Sequence, residues 1–79
     1  MMRLNELGSA VLARGKSEIA KDYHQWALMI SKELDDERGI AISLINLGLN
    51  SQYSRRLGKA EEYYQRASIA FTISEKYRI

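Results

Sequence analysis

Residues 37–71 read ERGIAISLINLGLNSQYSRRLGKAEEYYQRASIAF. Apolar residues return every three or four positions along this stretch, which is typical of amphipathic helices. The stretch also repeats an earlier part of the chain at a spacing of 40 residues. Eight residues recur in one ungapped register: Leu4, Leu7, Gly8, Ala20, Tyr23, Gln25, Ala27 and Arg38 return as Leu44, Leu47, Gly48, Ala60, Tyr63, Gln65, Ala67 and Arg78. This pattern predicts two copies of one helical unit.

The composition agrees with an all-α chain. Its 79 residues include no proline and only five glycines, and good helix formers dominate the rest. A domain of this length lies near the lower limit for independent stability, and two repeats are fewer than the roughly three that repeat proteins usually need. Two alternatives therefore stay open, namely a fragment of a longer protein and a short array that associates with itself.

Cysteine usage and charge narrow the possible functions. The absence of cysteine excludes disulfides, cysteine-based zinc clusters and thiol nucleophiles, and is compatible with a reducing compartment. The net charge of +2 is uneven, because residues 1–39 carry six basic and seven acidic residues, whereas residues 40–79 carry six and three. The tight basic group Arg55, Arg56 and Lys59 is interpreted as favourable charge at a helix C-terminus. We expect no nucleic-acid partner.

No stretch is apolar enough for a signal peptide or a membrane span, so we predict a cytoplasmic protein without membrane contact. We expect no enzyme activity, no cofactor and no metal. His24 is the single histidine, and a lone histidine on a helix face is far more often a packing or surface residue than a catalytic one. No second histidine or cysteine exists to complete a metal site with it.

Four helices are predicted, within a single domain of residues 1–79. They cover about residues 2–14, residues 18–34, a third helix that ends near residue 56, and a fourth that follows a break at residues 57–59. Gly15 is expected to supply a left-handed residue after the first helix, and Ser17 to cap the second. Asp35 or Asp36 is expected to cap the third. Repeat 1 then covers about residues 2–38 and repeat 2 covers residues 39–79.

The inward faces of these helices follow from the same spacing. We expect Gly8 and Gly48 to lie at helix crossings where no side chain fits. The third helix has one stripe that faces its neighbours, consisting of Ala41, Leu44, Leu47, Gly48 and Ser51. For the second helix the expected stripe is Ile19, Ala20, Tyr23, Ala27, Ile30 and Leu34. For the fourth it is Ala60, Tyr63, Tyr64, Ala67, Ala70, Phe71 and Ser74.

The first repeat resembles the tetratricopeptide repeat, through Leu4, Leu7, Gly8, Val11, Gly15, Ala20, His24 and Ala27. Residues 37–71 look like the longer variant of that repeat, of about 40 residues. The resemblance implies antiparallel helix-turn-helix units stacked as a short right-handed α-solenoid. Two places depart from the family pattern: His24 stands where a large aromatic or aliphatic residue is usual, and Gly58 lies ten residues after Gly48, whereas Gly15 lies seven after Gly8.

The third helix carries a second apolar stripe, formed by Ile42, Ile45, Leu49 and Tyr53. In tetratricopeptide arrays this face lines the concave groove that binds peptides, so the resemblance implies a protein-interaction module. Coverage by a neighbouring repeat or by a second copy is the alternative. The carboxylate clamp of the family is not expected, because Asn5 and Ser9 occupy its places. The predicted partner-binding groove consists of Asn5, Ser9, Leu12, Ile42, Ile45, Asn46, Leu49, Asn50 and Tyr53.

Self-association and a place in a larger peptide sensor or regulator are the competing interpretations. The last helix has no following repeat to cover Ile69, Ile73 and Ile79, which favours a homo-oligomer. Trp26, Met29 and Tyr77 are candidates for a seam with an adjoining repeat or partner.

Overall fold

The computed structural model describes residues 2–76, and of Met2 only the backbone. Four helices follow one another in this part of the chain, α1 (Met2–Ala13), α2 (Ser17–Glu33), α3 (Glu37–Tyr53) and α4 (Leu57–Lys76). The prediction of an all-α chain built from four helices is confirmed. The expectations for Tyr77 and Ile79 fall outside the described residues.

The three corners between the helices share one backbone geometry. In each, the middle of three linking residues has a positive φ: 79° at Gly15, 53° at Asp35 and 59° at Arg55. The next amide then donates to a carbonyl five residues back, over 3.2 Å from Lys16 to Val11, 2.9 Å from Asp36 to Ser31 and 2.7 Å from Arg56 to Ser51. This is the Schellman motif, which satisfies carbonyls that a helix end leaves free. The corners therefore recur every 20 residues.

Two predicted boundaries are wrong. The last corner lies at residues 54–56 rather than 57–59, because Arg55 takes the left-handed position that the sequence pattern reserves for glycine. Gly58 lies instead within the first turn of α4. Ser17 is also not the cap of α2, since the N-cap residue is Lys16 and makes no side-chain cap bond. The Asp36 cap is confirmed, because its Oδ1 accepts from the amide of Gly39 over 3.0 Å.

The helices form two layers. Each helix packs on its neighbours in sequence and α1 also touches α3, whereas within residues 2–76 neither α1 nor α2 touches α4. Consequently α1 and α3 form one layer, and α2 and α4 lie apart in the other. Buried apolar residues between the layers form the core: Leu28, Ala41, Leu44, Leu47, Ala67 and Ala70. The right-handed solenoid implied by the resemblance stays a prediction.

Both predicted glycine crossings are confirmed. A Cβ atom placed on Gly8 would lie 2.6 Å from Cε1 of His24, and one on Gly48 would lie 2.6 Å from Cε1 of Tyr64. The two helix pairs thus approach equally closely, with His24 and Tyr64 at equivalent repeat positions. No side chain larger than hydrogen fits at either glycine without movement of a ring.

The α3 stripe is buried as predicted, whereas the stripes of α2 and α4 are only partly right. Ala20 and Ala27 are buried, but Ile19, Leu34 and Phe71 are exposed. On α2 the buried positions shift to His24, Leu28 and Ser31, because this helix is covered by α1 and α3 together rather than by α1 alone. None of the four described helices is both long and apolar enough to cross a membrane.

Candidate partner-binding surface

Helix α3 is apolar on two faces, and only one of them is covered. The packed face includes Leu47, which is 1% exposed. On the other face Ile45, Leu49 and Tyr53 are 42%, 48% and 57% exposed. Ile42, at the start of that face, is half-buried. We call Ile42, Ile45, Leu49 and Tyr53 the α3 row.

The α3 row runs towards the first corner of the chain. The hydroxyl of Tyr53 lies 3.7 Å from the place where Gly15 would carry a Cβ. Among the other predicted groove residues, Ser9 is exposed, whereas Leu12 and Asn46 are half-buried. These residues remain accessible to a partner, together with the α3 row.

Two asparagines of the predicted groove lie in the interior instead. Asn5 is 6% exposed and Asn50 is 4% exposed. The amide nitrogen of Asn50 donates to the backbone carbonyl of Ser17 over 2.9 Å, which ties α3 to the start of α2. Both side chains are used for packing between helices, so they are not available as open contacts for a partner.

Asn5 is the centre of a buried polar network that joins three helices. Its Nδ2 donates to Oγ of Ser43 on α3 over 3.1 Å, and its Oδ1 lies 2.8 Å from Nδ1 of His24 on α2. An amide oxygen only accepts, so this arrangement assigns the proton of the neutral imidazole to Nδ1. The network holds α1, α2 and α3 at fixed positions.

His24 is 1% exposed, and burial lowers the pKa of its imidazole, because a charged ring would lose its hydration. Its surroundings are those of a structural residue that is neutral near pH 7. Among the described residues, no three histidine, cysteine, aspartate or glutamate side chains are grouped so as to hold a metal ion.

Sequence reasoning placed neither His24 nor Asn5 in a network. One signal was present, because His24 is equivalent to Tyr64 in the 40-residue repeat. When a histidine replaces a tyrosine at an equivalent inward position, its ring nitrogens need hydrogen-bond partners in the interior.

The outward face of α4, along the first twelve residues of the helix, forms a second exposed surface. A cavity of about 410 Å³ there is lined by Gln52, Leu57, Ala60, Glu61, Tyr64, Gln65 and Ser68. We call it the α4 end cavity. The hydroxyl of Tyr64 donates to Oε1 of Gln52 at its edge over 2.8 Å. Nearby on the same helix, Ile69 and Phe71 are 63% and 52% exposed.

Trp26 and Met29 of the predicted seam are also exposed, at 52% and 53%. Tyr77 lies outside residues 2–76, which the structure describes.

A comparison of the chain with family models, curated proteins and solved structures finds no match.

Proposed function

We propose that this protein is a non-catalytic interaction module of the tetratricopeptide type, whose α3 row receives an apolar segment of another protein. The observation that carries the proposal is the exposure of three apolar side chains in a row, Ile45, Leu49 and Tyr53. They lie on a helix whose opposite face is fully packed. An apolar row that the fold itself leaves in water is typical of a binding surface.

A partner on the α3 row would cover apolar side chains that are now about half exposed. Removing a large apolar side chain from water stabilises a complex by roughly 1.5–3 kcal/mol when burial is complete, and by less for residues already half-covered. Association itself costs at least about 4 kcal/mol in lost translational and rotational freedom, so the row supplies only part of the binding free energy. The half-buried amide of Asn46, beside the row, can hydrogen-bond the partner's backbone. A cytoplasmic location suits a chain without cysteine.

The test uses the double variant Ile45→Ser/Leu49→Ser. We expect it to lose the partners that the parent captures from a cell lysate, while helicity and melting temperature stay nearly unchanged. The stability control is Leu47→Ala, which empties a packed site and should lower the free energy of unfolding by about 2–5 kcal/mol. Unfolding of the double variant as severe as that of Leu47→Ala would show that the row is interior packing and would contradict the proposal.

A matched surface control makes the capture experiment specific. Ile69→Ser/Ile73→Ser also removes two exposed apolar side chains, but from α4. Partners lost equally from both double variants would indicate general stickiness instead of recognition by the α3 row.

Self-association is the second candidate, and the repeat itself favours it. The α4 end cavity lies at positions equivalent to residues 17–28 of α2, and there α3 covers the surface. Ser17 accepts a bond from Asn50, and Leu28 packs with Leu44 and Leu47. Conversely Leu7, equivalent to the buried Leu47, is 45% exposed on α1. A second copy could therefore place its α1 on α4, as α3 is placed on α2.

This head-to-tail contact predicts that Leu7→Glu and Ser68→Glu each keep the chain monomeric, since they lie on the two opposite ends that would meet. Sedimentation velocity over increasing concentration is the measurement. A parent that stays monomeric into the millimolar range would exclude self-association and leave the α3 row proposal intact.

A further inference from the structure

The separation of α2 and α4 leaves a cleft between them, with α3 as its floor. Two cavities lie along it, of about 140 Å³ near the last corner and about 300 Å³ further along. They meet at Gln25 and Tyr63, which line both. Leu47 of α3 lies at the bottom of the larger cavity, beside Leu28 and Met29.

Positive charge is concentrated on the walls of this cleft. Lys21 and Lys32 come from α2, Arg56 ends the last corner, and Lys59 and Arg66 come from α4. Glu18 is the acidic residue that lines these cavities, and its Oε1 lies 4.0 Å from Nη2 of Arg56. We call this set the cationic cleft.

The composition conceals this segregation. The cationic cleft carries five basic residues and one acidic residue, which gives a net charge of +4. The rest of the sequence carries seven basic and nine acidic residues, which gives a net charge of −2. Arg56 directly precedes α4, and Lys59, Tyr63 and Arg66 follow it in steps of three or four residues, a spacing that keeps them on one face of the helix. A cleft lined by one sign of charge focuses the field and attracts ligands of the other sign.

Along the cleft, basic side chains stand at both ends and an apolar side chain stands between them. Lys21, Arg56 and Lys59 are at one end, and Lys32 and Arg66 are at the other. Lys21 and Lys32 are eleven residues apart on one helix, hence about 16 Å. Between the two cationic ends lies the apolar side chain of Met29, which is 53% exposed, whereas Leu47 at the bottom is buried. This order suits a ligand with negative charge at both ends and an apolar group between them.

We propose that the cationic cleft binds an acidic peptide segment of another protein, with carboxylates on either side of an apolar residue. A single-stranded nucleic acid is less favoured, because it would need exposed rings for base stacking. The aromatic ring that lines these two cavities belongs to Tyr63, which is half-buried and has Cζ of Arg66 5.7 Å from its centroid. The proposal does not depend on the α3 row, which belongs to the other layer.

The test is fluorescence anisotropy at low ionic strength with a short fluorescein-labelled peptide in which glutamates flank a central leucine. Control probes are the same peptide with glutamines and a labelled oligothymidylate. We expect the glutamate peptide to bind, and added salt to weaken it. The double variants Lys21→Glu/Lys59→Glu and Lys32→Glu/Arg66→Glu should each weaken binding by about tenfold or more.

Arg3→Glu/Arg38→Glu is the matched control, since it changes the net charge equally at two exposed residues outside the cleft. We expect it to weaken binding by less than about threefold. Equal losses in cleft and control variants, tighter binding of the oligothymidylate, or no peptide binding at about 1 mM would each overturn the proposal. Circular dichroism verifies that each variant folds. The two cleft variants test the proposal separately, so either one suffices if the other fails to fold.

Discussion

The two helix pairs make the same backbone crossing but fill it differently. At the first crossing the ring against Gly8 belongs to His24, which is 1% exposed and part of a network that reaches α3. At the second, the ring against Gly48 belongs to Tyr64, which is half-buried and bonds the exposed Gln52. The difference shows that an identical glycine in a repeat has different neighbours according to whether another helix covers the pair. At the first crossing the ring of His24 is fully enclosed, whereas at the second the ring of Tyr64 still has room to move.

The largest effect should come from filling the crossings. Gly8→Leu should lower the free energy of unfolding by about 3 kcal/mol, because the buried ring of His24 has nowhere to move. Gly48→Leu should cost about 1 kcal/mol, since Tyr64 can swing into the α4 end cavity. Urea denaturation of both variants measures the difference. Equal costs, or a Gly48→Leu variant that melts at the parent temperature, would contradict this account of the crossings.

The next effect concerns the polar groups around each crossing. Asn5→Ala leaves the buried His24 and Ser43 without their partner, and should cost about 2 kcal/mol. Gln52→Ala removes the partner of Tyr64, but water replaces it, so a change below about 0.5 kcal/mol is expected. Thermal melting of the two variants is the test, and similar values would show that the Asn5 network contributes little.

Acid should weaken the first crossing through His24. Burial lowers the pKa of this imidazole in the folded state, whereas in the unfolded chain its pKa is about 6.5. As pH falls below that value, the unfolded state binds a proton that the folded state rejects, so the stability decreases until the lowered pKa is reached. Denaturation midpoints between about pH 7.5 and pH 5.5 measure this slope. The variant His24→Gln should have a flatter profile, and an unchanged slope would assign the effect to other groups.

The smallest effect lies in the corners. Arg55 has a φ of 59°, a conformation that glycine adopts with less strain. Arg55→Gly should therefore raise the free energy of unfolding by up to about 0.5 kcal/mol, after subtraction of the greater chain entropy of glycine. Gly15→Ala, at the equivalent corner, should instead lower it by about 1 kcal/mol. A destabilised Arg55→Gly variant would mean that the arginine side chain itself stabilises the corner.

The repeat allowed much of the fold to be predicted, because the glycines mark places where two backbones approach closely. Gly8 and Gly48 therefore gave both crossings. The last corner was misplaced because Arg55 adopts a conformation for which no glycine signal exists, while the nearby Gly58 offered a false one. The accessible α3 row was visible in the spacing of Ile45 and Leu49.

Other parts of the surface depend on how separate helices are placed. The burial of Asn5 and Asn50 follows from the position of α3 against α1 and α2, which periodicity within one helix does not contain. The cationic cleft is similar. Lys21 and Lys32 lie on one face of α2, but only the fold shows that α4 presents Arg66 across the same cleft.

The order in which the helices touch also bears on how fast the chain folds. Within residues 2–76 contacts join neighbouring helices or α1 with α3, and α1 never meets α4. Each helix thus finds its main partner across a corner of three residues, so little loop entropy opposes the encounter. Helical chains rich in such local contacts fold within microseconds to milliseconds. We therefore expect α3 and α4, which make the most extensive contact among the described helices, to pair first, and α2 and α1 to pack on them afterwards.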